Sequence, residues 1–257
     1  MADRKQILFG ITDPDDKLFL SKMCDIAERS ENAYKVMFSK FLDPRQVLMT
    51  QSRLSAHFPV EFFGGYDGAE RRIAAFGETF GGEIDYPIAA LKISPKSGRT
   101  LSHRDYLGSI LALGIKRELL GDIAVTDGGA AVFVTAEIAD FVEMNLKKVA
   151  SDTVRITRMT ADEDVKIERN FKESDLTVSS LRLDCVLSAA TGMSRSKSAE
   201  AVEEGLCTVN YNTAKDIRLN ISDGDILSVR GFGKMIIQTD KSLTKKGRIH
   251  IKVKKYI

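Results

Sequence analysis

Ser194, Arg195, Ser196 and Lys197 are the residues whose types and spacing point most directly to chemistry. Ser194 is a helix N-cap by type and Gly205 a C-terminal stop. Between them the first turn carries Arg195 and Lys197, and the last turn carries Glu203 and Glu204. The helix dipole favours the reverse, anions first and cations last, each worth about 0.3–1 kcal/mol. A phosphate at the N-terminal end would resolve the conflict, because it meets backbone N–H groups and two long basic side chains together. The alternative is that exposed charges fall there with no ligand to hold.

The elements that must position these residues follow from periodicity. Leu183, Val186, Leu187 and Ala190 recur at i, i+3, i+4 and i+7, the spacing of one buried helix face, with Arg182 off that stripe. Thr191-Gly192 ends this helix before Ser194 opens the next. After Gly205 the period becomes alternating: Cys207, Val209 and Tyr211 point one way, Thr208 and Asn210 the other. Asp223-Gly224 is a turn, followed by apolar strands around 226–230 and 235–237. The order is two short helices and then a small, strongly bent sheet.

This segment resembles an S4 domain, a small RNA-binding module. The likeness rests on Arg-Leu-Asp-x-x-Leu at 182–187, Ser-Arg-Ser at 194–196, Gly205 ahead of Val209-Asn210, and Gly224-Asp225. It spans about 60 residues, four spaced elements agreeing. The family's glycine after Val-Asn is replaced by Tyr211-Asn212, which leaves that hairpin's geometry open. The resemblance implies that the helix pair presents basic residues to structured RNA, a role that falls by position on Arg182, Arg195 and Lys197.

Charge is distributed unevenly. From residue 179 onward there are 14 Lys+Arg against 8 Asp+Glu, a net +6; the first 178 residues hold 24 against 28, a net −4. The last third is therefore the expected electrostatic footprint for nucleic acid. Residues 241–257 contain seven Lys+Arg and no acid, and Ile249, Ile251 and Val253 alternate with His250, Lys252 and Lys254. That reads as a strand with a cationic face, either contacting RNA or guarding a sheet edge with lysines. The candidate RNA-binding set is Arg182, Ser194, Arg195, Ser196, Lys197, Lys215, Arg218, Lys234, Lys252 and Lys254.

Upstream, Asp13-Pro14 and Asp43-Pro44 each open a helix with proline at its favoured first position. The first shows Leu18, Met23, Ile26 and Ala27 at helical spacing, with apolar residues continuing through Tyr34, Val36, Met37 and Phe41; the second runs to about Ala56. A strand at 59–63 leads into the glycine-rich turn Gly64-Gly65-Tyr66-Asp67-Gly68, then a short helical or extended piece. From 86 onward a strand (87–93), a helix (102–120), a strand (123–126), an Asp127-Gly128-Gly129 hairpin, a strand (131–135), a helix (138–149) and a strand (154–159) follow. That order is ferredoxin-like βαββαβ. RNA-recognition motifs share it, yet Phe133 is the one aromatic residue on the central strand pair, and a lone Phe there is more often core. Arg71 and Arg72 behind the glycine turn, and His103 and Arg104 behind the N-cap Ser102, form a possible second RNA or ribosome surface. The bland reading of Arg71 and Arg72 is a turn with two solvated arginines.

The segments 63–72 (Phe-Gly-Gly-Tyr-Asp-Gly-Ala-Glu-Arg-Arg), 103–108 (His-Arg-Asp-Tyr-Leu-Gly), 114–118 and 121–123 resemble the YlmH family of bacterial S4-containing proteins. With the S4 segment, the likeness covers nearly the whole chain. It implies a non-catalytic factor associated with the large ribosomal subunit, with obstructed peptidyl-tRNA complexes in ribosome quality control, and, by gene neighbourhood, with cell division. The expected fold is α+β: an N-terminal helical and mixed region at 1–85, a ferredoxin-like domain at 86–160, a connector at 161–178, and an S4 (αL-type) RNA-binding domain at 179–257 ending in a basic strand.

Several classes are argued against. Arg182-Leu183-Asp184 imitates a pseudouridine-synthase motif but lies inside the first S4 helix. Gly64-Gly65 and Gly128-Gly129 do not reproduce a methyltransferase cofactor loop, and there is no P-loop, zinc motif or nucleophile elbow. Three distant cysteines read as reduced, buried thiols. No apolar run reaches membrane-span length and the N-terminus lacks a signal-peptide core. The expectation is a cytoplasmic, monomeric RNA-binding protein without catalytic residues, cofactor, metal or membrane, whose partners are rRNA, tRNA and the large subunit. The competing readings are an RNA-modifying enzyme with a degenerate catalytic domain and a division-linked protein scaffold.

Overall fold

The computed structural model describes residues 4–78, 82–160, 171–240, 242–244 and 247–256. The chain divides into two compact units, Met1–Ile167 and Glu168–Ile257.

The first unit opens with α1 (Arg4–Leu8), α2 (Pro14–Ala33), β1 (Met37–Leu42), α3 (Pro44–Leu54), β2 (Val60–Phe63) and β3 (Arg72–Phe76). Asp13 caps α2 by accepting from the Asp15 and Asp16 amides at 2.9 and 3.1 Å, and Asp43 builds a reciprocal capping box with Gln46 at the start of α3. The apolar run expected to continue the first helix does not: Tyr34 takes a left-handed φ of 50° and ends it, and the chain turns into β1. A register shift between Phe38 and Phe41 lets Phe41 and Leu42 both be buried. Antiparallel strands in the order β1-β3-β2 pack under the helices around Leu20, Met23, Ala27, Val47 and Phe76.

The same unit continues with β4 (Ile88–Pro95), α4 (His103–Leu111), a 3-10 turn (Arg117–Leu119), β5 (Leu120–Thr126), β6 (Gly129–Thr135), α5 (Ala136–Asn145), β7 (Lys148–Val149) and β8 (Asp152–Arg158). The antiparallel sheet runs β5-β6-β4-β8-β7. Two expected helices are shorter than periodicity suggested. Past Leu111 the chain reaches Gly114 at φ +84° and then β5, while Lys148–Val149 turns back as a strand on β8. Leu91, Ile93, Val132 and Val134 face α4 and α5; Phe133, Ala131 and Ala124 face Phe41 and Ile73 from the smaller sheet. The regions 1–85 and 86–160 thus share a core, and Phe133, 1% exposed, belongs to it.

The second unit contains β9 (Phe171–Val178), α6 (Leu183–Thr191), α7 (Arg195–Glu203), β10 (Cys207–Val209), β11 (Asn212–Thr213), β12 (Ile226–Val229), β13 (Gly233–Gln238) and β14 (Ile249–Tyr256). Its antiparallel sheet runs β11-β10-β12-β13-β14-β9. Leu183, Val186 and Leu187 of α6 and Val202 of α7 bury against Cys207, Leu227, Val229, Ile237, Ile251 and Val253. The segment expected to be a connector is instead partly structural: β9 pairs with β14 along its full length, from Val178↔Ile249 to Phe171↔Tyr256. The rest of that segment, 161–170, lies outside the described residues. Because β9 and β13 flank it, β14 is not a sheet edge, so edge protection does not explain its lysines. All three cysteines are free and buried, and burial pushes the Cys207 thiol up to about 11.

Candidate nucleic-acid interface

At one end of the second unit, two arginines converge on one buried carboxylate. Ser194 caps α7 and accepts from the Lys197 amide at 3.3 Å, which sets Arg195 and Lys197 in the first turn. Arg182 precedes α6; its Nε and Nη2 donate to the two Asp184 carboxylate oxygens at 3.1 and 3.2 Å. Arg195 Nη2 donates to Asp184 Oδ2 at 2.7 Å. The Asp184 side chain is 7% exposed, whereas those of Arg182 and Arg195 are 40% and 59% exposed. Burial pushes the Asp184 carboxyl up, but the hydrogen bonds from Arg195 and Arg182 outweigh it and hold the group below the usual carboxylate range. Two cations sharing one anion leave a net positive charge. A guanidinium carries five N–H donors, so each arginine is fixed on its Asp184 side while further donors remain toward solvent.

The loop after β11 joins this end. Leu183 donates its amide to the Leu219 carbonyl at 2.8 Å, Asp184 its amide to the Ile217 carbonyl at 3.1 Å, and Arg182 bridges Asn220. These bonds hold exposed Lys215 and Arg218 beside the start of α6; Arg218 also lies 3.8 Å from Asp216. They also occupy the α6 amides, so the free helix end is that of α7. Exposed Ser194 and Ser196, their hydroxyls 3.0 Å apart, complete the group.

The other candidates of this unit lie elsewhere. Lys234, Lys252 and Lys254 alternate with the buried Met235, Ile237, Ile251 and Val253, so they project from the sheet face opposite the helices. There Lys254 and Lys252 reach Glu173 at 3.2 and 3.4 Å, and the Lys234 ammonium stands 5.1 Å from the Tyr211 ring centroid and 4.7 Å from that of Tyr256. The sequence treats all ten residues as one set; the sheet separates them into two faces. The hairpin left open by Tyr211 is a two-residue turn in which Asn210 and Tyr211 both take positive φ, 47° and 66°.

In the first unit, Arg71 is corrected from a candidate RNA contact to a part of the scaffold. Half-buried, it donates through Nε to the Leu120 carbonyl at 2.8 Å and through Nη2 to the Phe41 and Arg117 carbonyls at 3.1 and 3.3 Å. The two amides that follow the turn are already used: Asp122 accepts from the Glu70 and Arg71 amides and from the Tyr66 hydroxyl at 2.7, 3.1 and 2.7 Å. Gly65 is required because it has φ +100° and a Cβ there would collide with the Phe133 ring. Arg117, not singled out in the sequence, donates to the Leu120 and Gly121 carbonyls, and burial plus the Arg71 charge push its pKa down to about 10. The family-like segments around 66–71 and 117–122 therefore meet in one clamp between the two sheets. Arg72 sits half-buried in β3, its Nε without a hydrogen-bond partner. His103 and Arg104 start α4 and are exposed; partial desolvation and then the Arg117 charge lower the His103 pKa, which keeps the imidazole neutral near pH 7.

Among the described residues no cluster of His, Cys, Asp and Glu could hold a metal, and no helix is long and apolar enough to cross a membrane.

Comparison with known proteins agrees with the likeness read from the motifs. Residues 82–163 match a family profile described as "Putative RNA-binding domain in YlmH". A cell division protein ylmH from Streptococcus pneumoniae has a similar fold, with a TM-score of 0.51 at 19% identity, covering 62% of this chain and 99% of that one. The Bacillus subtilis (strain 168) ribosome-associated protein quality control protein P2 is 31% identical over 239 residues, 91% of this chain and 93% of that protein. At that identity over nearly the full length of both chains, this protein belongs to the YlmH family.

Proposed function

We propose that this protein is a non-catalytic RNA-binding factor that docks on structured rRNA or tRNA of the large ribosomal subunit. The observation that carries the reading is the pair formed by half-buried Arg182 and exposed Arg195, both bonded to buried Asp184 beside the capped start of α7. The α7 dipole and the first-turn residues Arg195 and Lys197 stand at the same helix start, where a phosphate would meet backbone N–H groups and guanidinium donors. Lys215 and Arg218 extend the patch. Lys234, Lys252 and Lys254 would form a separate, weaker phosphate surface, since Glu173 already neutralises part of their charge.

The helix pair followed by a bent antiparallel sheet supports an S4 (αL-type) domain, and the strand order β5-β6-β4-β8 supports a ferredoxin-like fold for 86–160. The name of the B. subtilis relative favours a role in ribosome-associated protein quality control; action on obstructed peptidyl-tRNA complexes in the cytoplasm, as a monomer, is part of the proposal that the family resemblance implies. Removing one side chain that neutralises a phosphate should lower the salt slope of binding by roughly 0.7–0.9. Arg195→Glu with Lys197→Glu should therefore abolish co-sedimentation with large subunits at physiological salt while the fold persists by circular dichroism. Unchanged co-sedimentation of that variant would refute the assignment. A modified nucleotide absent from rRNA or tRNA of a deletion strain and restored by the gene would overturn the non-catalytic reading.

A further inference from the structure

The face of the five-stranded sheet turned away from α4 and α5 is only partly covered by the smaller sheet. A cavity of about 860 Å³ opens there, within the ~300–1,000 Å³ typical of ligand sites. Its walls include the rings of Phe63, Tyr86 and Phe133, with Phe63 and Tyr86 5.4 Å apart. Three carboxylates, Glu61, Glu83 and Asp85, line it, and no lysine or arginine does among the described residues. Burial and then the Glu61 charge push the Tyr86 hydroxyl up to about 12.

Elsewhere in this unit Asp16 pairs with Arg45, Glu137 with Lys40, and Asp140 and Glu143 with Arg158. The three at the cavity ion-pair with no described residue. Three carboxylates with no ion-pair partner among the described residues repel a phosphate backbone, so RNA is a poor occupant of this cleft. Rings edged by carboxylates attract organic cations. The shape of the cavity narrows the class further. Residues 61–63 line it, and they belong to β2, one of the two outer strands of the order β1-β3-β2. A strand edge offers unpaired N–H and C=O groups to an added strand.

We propose that this cleft is a docking site for an extended, lysine- or arginine-rich peptide segment of a partner protein. The peptide pairs along β2 and places alternate cationic side chains among Glu61, Glu83, Asp85 and the rings. The cleft is lined by residues of the first unit.

The test uses the full chain and a short fluorescein-labelled peptide alternating lysine and valine, read by fluorescence anisotropy at physiological salt. Glu61→Gln with Glu83→Gln and Asp85→Asn should weaken binding about tenfold or more, roughly 1.4 kcal/mol. A control that removes three carboxylates elsewhere, Glu200→Gln with Glu203→Gln and Glu204→Gln, should leave it within about twofold. Phe63→Lys, at a position already 37% exposed, should abolish binding by placing a cation in the cleft, and it guards against misfolding of the triple variant. Equal losses in the two triple variants, retained binding in Phe63→Lys, or no saturable binding would overturn the site. Displacement by equimolar spermine would overturn the peptide assignment in favour of a free polyamine.

Discussion

Replacing Asp184 by asparagine separates two explanations of the arginine pair by the sign of the effect. The substitution keeps side-chain size but deletes the charge that receives three hydrogen bonds, two from Arg182 and one from Arg195. If the arginines act only as diffuse charge, removing an anion beside them raises the local positive potential and RNA binds more tightly. If Asp184 holds them in a binding geometry, both become mobile and must be reordered on the RNA. Immobilising a long side chain costs roughly 0.5–1.5 kcal/mol. Two of them therefore cost roughly 1–3 kcal/mol, or about five- to 150-fold in affinity, against which one added charge at a half-exposed site recovers little. The expected outcome is about tenfold weaker binding despite a more positive protein. The assay is anisotropy titration of labelled 23S rRNA fragments together with co-sedimentation of large subunits, at two salt concentrations. Unfolding should cost only about 1–2 kcal/mol less, since both partners are 40% exposed or more. Tighter or unchanged binding by the folded variant would refute the positioning argument.

Three further outcomes follow from the geometry. The Asp184 carboxyl titrates below its unfolded value of about 3.9, so its contribution is present above that pH and is lost as pH falls through the folded pKa; acid unfolding of the second unit should therefore be steeper below about pH 4 in the native protein than in Asp184→Asn. Arg71→Met strips a donor from the Leu120, Phe41 and Arg117 carbonyls and should destabilise the first unit by about 2 kcal/mol or more, visible in thermal unfolding, with affinity for rRNA fragments unchanged. Tyr211→Gly relieves a left-handed tyrosine, worth roughly 1–2 kcal/mol, but forfeits the ring under Lys234, worth about 0.5–1 kcal/mol; chemical denaturation should find it stabilising by more in a Lys234→Ala background than in the native one.

The signals that could be read from the sequence were local ones. Asp13-Pro14, Asp43-Pro44, Ser194, Gly192 and Gly205 each act within one turn of chain, and the helix ends they mark stand where they indicate. What failed was tertiary. Lys172, Glu173, Ser174 and Asp175 have no apolar alternation, and they become a strand because β14 supplies both hydrogen bonds and lysines for Glu173. Met37, Phe38, Phe41 and Leu42 suit helix spacing, but a left-handed Tyr34 and a register shift turn them into strand. At the site, charge placement singles out Arg195 and the S4-like motif singles out Arg182, whereas Asp184 reads only as part of that motif. Its role depends on α6 and α7 meeting, which no spacing rule encodes. Arg71 carries the same type of side chain as Arg195, yet it lies between two sheets; charge alone does not separate an arginine that faces solvent from one that ties carbonyls together.

The pairing of β9 with β14 joins residues 71 to 85 positions apart in the chain, from Val178↔Ile249 to Phe171↔Tyr256. While the protein is being synthesised, the helix pair and the Asp184 cluster leave the exit tunnel well before the strand that closes their sheet. Until that strand arrives, β13 presents a bare edge and β9 lacks the strand it pairs with, and the long loop to be closed makes the step slow relative to helix formation. The RNA-contacting end is thus assembled early, but it rests on a floor that is finished late, so a nascent copy should acquire its grip on RNA only once its closing strand is free of the tunnel.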